Sequence, residues 1–454
     1  MTNSAAEVLP KAPVLTPDAG RWAPLWVILF VALWPTPGLA ETVLSLGALF
    51  AAYSLLHARF RGGTRLLSGA AWALTSVLFL AYWLPQMLSA FDAVDAGRAL
   101  RKSATDLRYL PFMWLCAIAV ANAQRRRRTF TGLAVIAGVW ALDALLQAAF
   151  GTSPLFFGID QIKQLISGHG LCTAQELALV DRLSGVLGPC NLKFGQTLAS
   201  LSPFLLLALG RRTAWAWAGA AAAVGIVLVL AGSRASWITY ALIVLLSGWQ
   251  RLGGRRVLAV AAVGALLAAA VVAVAPQARE RIQRTTLAFG NGEQGVDQAL
   301  SGRAQIWGAA LCMIREHPLN GVGARGFRQA YPACNPAPDQ APAWGDGPAF
   351  HAHQIVLEIL AETGVIGLLL WLAGAAQAWR AWRYSSEAAR EQARPAMIAL
   401  VATVFPINTH LAFYSSFWGG LSLMLAGLYA GALLNDDVGP LLPKPSQTRP
   451  SKAA

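Results

Sequence analysis

The chain has 454 residues, of which 56% are hydrophobic and only 13% charged, with a mean hydropathy of +0.50 and 17 tryptophans. That composition excludes an ordinary soluble domain and indicates a polytopic membrane protein. A net charge of +14 raises nucleic acid as a partner. The Lys and Arg residues, however, fall in loops between apolar runs, where they act as topology determinants, so no nucleic-acid role is expected.

In chain order, residues 1–21 are polar and Pro-containing, lack the compact apolar core of a signal peptide, and read as a disordered cytoplasmic tail. Apolar segments of bilayer length follow at 22–39, 42–57, 66–84, 108–123, 129–150, 194–210, 213–231, 235–250, 257–275, 354–378, 395–412 and 415–434. The expected fold is all-α, a polytopic bundle of about twelve transmembrane helices. Residues 22–275 supply the first nine with short loops, 276–353 form a large outer loop, 354–434 supply the last three, and 435–454 make a second tail.

Gly232-Ser233-Arg234 interrupts an apolar stretch too long for one span, about 55 Å as a helix against a core of about 30 Å. Two helices joined by a tight turn are expected, which moves Arg234 from the bilayer centre to a membrane face. Counting Lys and Arg on alternate sides gives one richer side. It holds Lys11, Arg59, Arg125 to Arg128, Arg211, Arg255, Arg380 and Lys444 among others. By the positive-inside rule it is cytoplasmic and contains both termini. Trp371, Trp379 and Trp382 fit interfacial anchors by the same logic.

Three outward regions are too long for turns, roughly 85–107, 151–193 and 276–353. Four of the five cysteines lie in them, which fits an oxidising exterior. Cys172 with Cys190 and Cys312 with Cys334 are the favoured pairings of the three that four cysteines allow. No Cys/His spacing resembles a zinc site, and His351 with His353 is not the i, i+4 pair of a helical metal site.

Inside the third region, Ser301 is an N-cap candidate for a helix ending before Pro318, with Ile306, Trp307, Ala310, Leu311 and Ile314 at helical spacing. Arg303 falls in its first turn, where free backbone N–H groups favour an anion. GVGARGF, with Arg325 and Arg328, reads as a turn that doubles the chain back, and the following Pro-rich segment covers the site as a lid or a simple connection. His353 opens the next span on the same membrane face as Arg234 and Arg303. A helix N-terminus beside arginines should keep its imidazole neutral, able to accept a proton. His351 and His410 are the alternative bases, and Glu362 reads as a bundle hydrogen-bonding residue.

Read together, GSR (Ser233, Arg234), SGRAQIW (Arg303, Trp307), HPLNGVGARGF (Pro318, Gly321, Gly323, Phe327) and AHQIVLEILAETGVIG (His353, Glu362, Gly364, Gly367) resemble the O-antigen ligase family in order and spacing. RLSGVLGPCNLKFGQTLA, with Arg182 and Lys193, is similar to the family's segment before the sixth span. Gln354 stands where the family usually has Asn. The resemblance implies a GT-C-like membrane fold with a large periplasmic loop between helices 9 and 10. The implied donor is a glycan on undecaprenyl pyrophosphate and the implied acceptor a hydroxyl of lipid A-core, with membrane lipids around the protein and no metal or other cofactor. Catalysis would then fall to His353, Arg303 and Arg234, and substrate binding to Arg182, Lys193, Arg325, Arg328 and His351. The same fold also serves O-antigen polymerases and protein O-oligosaccharyltransferases. A lipid-linked glycan transporter is the alternative from another class.

Overall fold

The computed structural model describes residues 19–60, 65–173, 176, 183–274, 300, 302–339, 344, 347–406, 408 and 412–435. Among them every regular element is helical and no strand occurs. Five helices are long and apolar enough to cross a membrane: Pro37–Ala58, Gly69–Asp92, Ala123–Phe150, Ile355–Tyr384 and Ser416–Leu434. Gly20–Ala32, Phe194–Gly210, Ala214–Leu230 and Ala235–Trp249 are apolar but shorter. The chain is a helical membrane protein.

The first two helices are α1 (Ala23–Ala32) and α2 (Pro37–Phe60). The predicted break at 40–41 lies instead at Leu33–Thr36, because Pro35 and Pro37 each remove a backbone donor and Pro37 suits a first helical turn. α3 (Gly69–Ser89) is capped by Ser68, whose hydroxyl accepts from the Ala71 N–H. The predicted loop 85–107 instead contains α4 (Ala96–Asp106), an amphipathic helix that buries Ala99, Ser103 and Asp106.

The predicted span 108–123 is only the ten-residue α5 (Tyr109–Ile118). Tyr109, Phe112, Met113, Leu115, Cys116 and Ala117 are fully buried there, so protein and not lipid surrounds it and bilayer length is not required. α16 (Ser416–Leu434) packs against α5 and is buried from Trp418 to Leu433. Small residues allow that approach. A Cβ added to Gly427 would come within 2.7 Å of the Met113 carbonyl oxygen, and one on Gly431 within 2.5 Å of Ala117.

α6 (Ala123–Phe150) is followed by α7 (Pro154–Ser167), which occupies part of the predicted outer loop 151–193. α8 (Phe194–Gly210) lies against α6, α9 (Ala214–Leu230) and α10 (Arg234–Leu252). α9 and α10 meet at Ala231–Ser233, where Gly232 takes a φ of +67°. α11 (Gly254–Val274) follows.

α12 (Arg303–Glu316) and α13 (Phe327–Cys334) form a separate small core with Ile306, Met313, Phe327 and Tyr331. The N-cap of α12 is Gly302 at φ +77°, without a side-chain cap; Ser301 lies outside the described residues. Leu311, expected on the apolar face, is 47% exposed, and Ala309 and Met313 are buried instead. Disulfides join Cys312 to Cys334 and Cys172 to Cys190, and Cys116 is free and buried.

α14 (Ile355–Tyr384) packs along α3, and α15 (Glu387–Thr403) along α16. α15 starts eight residues before the predicted span 395–412 and ends at Thr403, because Ser386 accepts from the Ala389 N–H as a cap and Pro395 is accommodated within the helix.

Candidate active site at the histidine end of the bundle

His351-Ala352-His353 leads directly into α14. The two imidazoles lie 3.9 Å apart between ring centroids. His353 has a φ of +55°, a left-handed conformation that a side-chain-bearing residue adopts at a cost and that clusters at functional sites. Trp307 and Gln354 brace the turn. Trp307 donates its indole N–H to the Ala352 carbonyl at 3.1 Å, and Gln354 caps α14 by accepting from the Leu357 N–H while its own amide donates to the Pro406 carbonyl at 3.0 Å. Arg303 stands four residues before Trp307 on α12, hence on the same helix face as the indole that reaches the histidine turn.

One turn deeper, Glu358 and Glu362 are fully buried. The Tyr414 N–H donates to Glu358 at 3.4 Å and the Arg325 N–H to Glu362 at 2.6 Å. Arg325 itself has a φ of +62°, so Glu362 fixes a strained turn and with it the root of the Arg325 side chain.

α14 breaks at Gly364, whose φ of +64° and ψ of −168° are open to glycine alone. The segment Pro318–Val322 repairs the break. Val322 donates to the Ala361 carbonyl at 2.8 Å, and Val365 and Ile366 donate to Pro318 and Leu319 at 2.9 and 3.3 Å. A Cβ on Gly364 would sit 2.0 Å from the Leu319 oxygen, and one on Gly321 2.4 Å from Glu362. Two of the sequence motifs are therefore one interlocked structure.

Four helix N-termini gather at this end. α16 meets α14 through Tyr414 and Glu358, and α8 meets α16 through Lys193, whose ammonium lies 4.9 Å over the Phe417 ring. α10 meets α8 where Gly195 leaves room for Ala231 and Ser236. The positive ends of helix dipoles and their free N–H groups thus converge on one region. Gln196, 1% exposed in the first turn of α8, has neither amide atom paired among the described residues.

The cations reinforce this field. Burial pushes the Lys193 amine below its ordinary value, and the Arg325 guanidinium lowers it further. Lys102 on α4 is paired with Asp106; burial pushes this amine down and the carboxyl up, against the attraction between them. Arg108 pairs with Glu41. Lys102 on α4 and Arg108 just before α5 escape sequence reading, because the face that α4 buries is Ala99, Ser103 and Asp106 and not a stripe of large apolar residues. The 102/106 spacing of opposite charges was the available signal.

The remaining predicted residues are placed as follows. Arg328 lies over Phe350, 4.5 Å from the ring centroid, on the outer rim. Arg234 is the first residue of α10, and only its backbone is described. Arg182 and His410 lie outside the described residues. Glu316 approaches Cys312 and Cys334, but sulfurs joined in a disulfide are not thiolate ligands.

No curated protein matches the chain. Residues 218–372, from α9 through the histidine turn and the broken part of α14, match the family model described as O-antigen ligase. Over that stretch, about a third of its length, the chain is similar to the O-antigen ligase family.

Proposed function

We propose that the protein transfers a glycan from undecaprenyl pyrophosphate to a sugar hydroxyl of lipid A-core. The observation that carries this reading is the histidine turn at one bundle end, amid converging helix N-termini and the cations Lys193 and Arg325. His353 takes the proton from the acceptor hydroxyl as its oxygen attacks the anomeric carbon. The bond to the pyrophosphate oxygen breaks, and undecaprenyl pyrophosphate leaves with the bonding pair. Direct displacement inverts the anomeric configuration.

Negative charge grows on the leaving oxygens, so fixed positive groups there lower the barrier. Arg303 and Arg234 act on this charge, with Arg182, Lys193, Arg325 and Arg328 completing the cradle and His351 beside the base. The proposed topology has about twelve spans, both termini in the cytoplasm, and the site on the periplasmic face of the inner membrane.

The test is transfer by purified protein in detergent with EDTA, offered undecaprenyl-pyrophosphate-linked glycan and lipid A-core. Wild type should glycosylate lipid A-core and His353→Ala should not. Extension of the lipid-linked glycan alone would instead assign polymerase activity, and no product from a folded protein with both substrates would overturn the transferase reading.

A further inference from the structure

At the opposite end of the bundle, three helices surround a cavity of about 320 Å³. α6 contributes Arg126 and Arg127 from its first two turns, α8 reaches it with Phe204, Leu207 and then its C-cap Arg211, and α15 borders it with Glu391 and Gln392. Helix direction separates this place from the histidines. α8 starts beside Lys193 and finishes here, while α14 starts after His353 and runs away from it toward the start of α15.

The cavity carries two kinds of lining. Its polar side is strongly positive: Arg126 and Arg127 line it near the positive end of the α6 dipole, and the first turn of α6 contains no acidic residue. Arg211 adds a charge from the end of α8. The carboxylate in the lining, Glu391, also pairs with Arg394 at 2.7 Å. The other side is apolar, built from Leu207 and the rings of Phe130 and Phe204, whose centroids are 5.1 Å apart. Gln392 supplies an amide whose oxygen is buried and unpaired among the described residues.

A cationic mouth over an aromatic and aliphatic floor matches a phosphodiester carrying acyl chains better than a free anion, which would leave the floor uncovered. We propose that this cavity binds the headgroup of an anionic glycerophospholipid, with Arg127 and Arg211 on the phosphate and the first acyl carbons against Phe130, Phe204 and Leu207. The positive-inside orientation puts it in the cytoplasmic leaflet, and basic pockets between helices are suited to such lipids. Bound there, the lipid ties together the ends of α6, α8 and α15. The inference depends on the helices spanning a membrane and is independent of the ligase reading.

The experiment is native mass spectrometry and thermal unfolding of the purified full chain, titrated with phosphatidylglycerol, cardiolipin, phosphatidylethanolamine and inorganic phosphate. The two anionic lipids should be retained and raise the unfolding midpoint, with little effect from the other two. Arg127→Gln with Arg211→Gln should weaken retention roughly 30-fold, and Arg127→Lys with Arg211→Lys should keep most of it. The charge-matched Arg380→Gln with Arg383→Gln, exposed at the end of α14, should leave it unchanged. If the double variant fails to insert, Arg211→Gln alone should still cost roughly fivefold. Equal loss in the Arg380/Arg383 control, unchanged retention in the Arg127/Arg211 variant, or equal stabilisation by phosphate alone would each overturn the proposal.

Discussion

His353 is held in a left-handed conformation by neighbours whose contacts are with the backbone around it: the Trp307 indole on Ala352 and the Gln354 cap on α14. As the proposed general base, its replacement in His353→Ala should lower the turnover number by about 10² to 10⁴ while expression and unfolding midpoint stay near wild type, and His351→Ala should cost less. Lys193 offers a pH test. Because burial and Arg325 lower its pKa, its positive charge is lost at a lower pH than that of a surface lysine. Donor affinity should therefore fall early as pH rises. Lys193→Arg, which stays charged, should move the alkaline rise of KM to higher pH. His353, Arg303 and Arg325 were visible in the sequence because ionisable groups beside a membrane are rare. Lys102 was not, because its significance comes from burial beside Asp106, which only packing creates.

At the level of elements, the broken α14 and the Pro318–Val322 segment stabilise each other. The break frees backbone groups that would be costly in apolar surroundings, and the segment satisfies them with three backbone hydrogen bonds. Gly364→Ala brings a Cβ to 2.0 Å from the Leu319 oxygen at a φ of +64°. It should destabilise the protein by roughly 2–4 kcal/mol in denaturant or thermal unfolding, with activity falling in parallel. Opening the disulfide between α12 and α13 with Cys312→Ser and Cys334→Ser should cost about 3 kcal/mol, given the sequence separation of 22. The amphipathic α12 was legible from its apolar spacing and from Pro318 beyond its end. The break in α14 was not, since an isolated glycine in an apolar run signals neither a kink nor its partner.

Across the whole molecule, the proposed orientation predicts that a cysteine placed at Gln164 on α7, in a background lacking the native cysteines, reacts with a membrane-impermeant maleimide from the periplasm. One at Glu387, at the start of α15, should react only after the cells are permeabilised. Reversed labelling would invert the topology and move the proposed site to the cytoplasm. The large buried core around α5 and α16 had no counterpart in the sequence reading. Hydropathy assigns similar character to a helix facing lipid and one facing only protein, so 108–123 was expected to span and the ten-residue α5 was not.

The sequence by itself determined what depends on local chemistry: a helical membrane protein from composition, the turn at Gly232, the family resemblance from ordered motifs, and the histidines and arginines from their rarity near apolar spans. Tertiary structure decided the distant partnerships: Glu362 with Arg325, Lys193 with Phe417, Pro318–Val322 with the break at Gly364, and four helix starts meeting at one end. The physical reason is that hydrophobic pattern specifies which segments leave water, whereas their direction and neighbours follow from close packing and from satisfying every buried polar group.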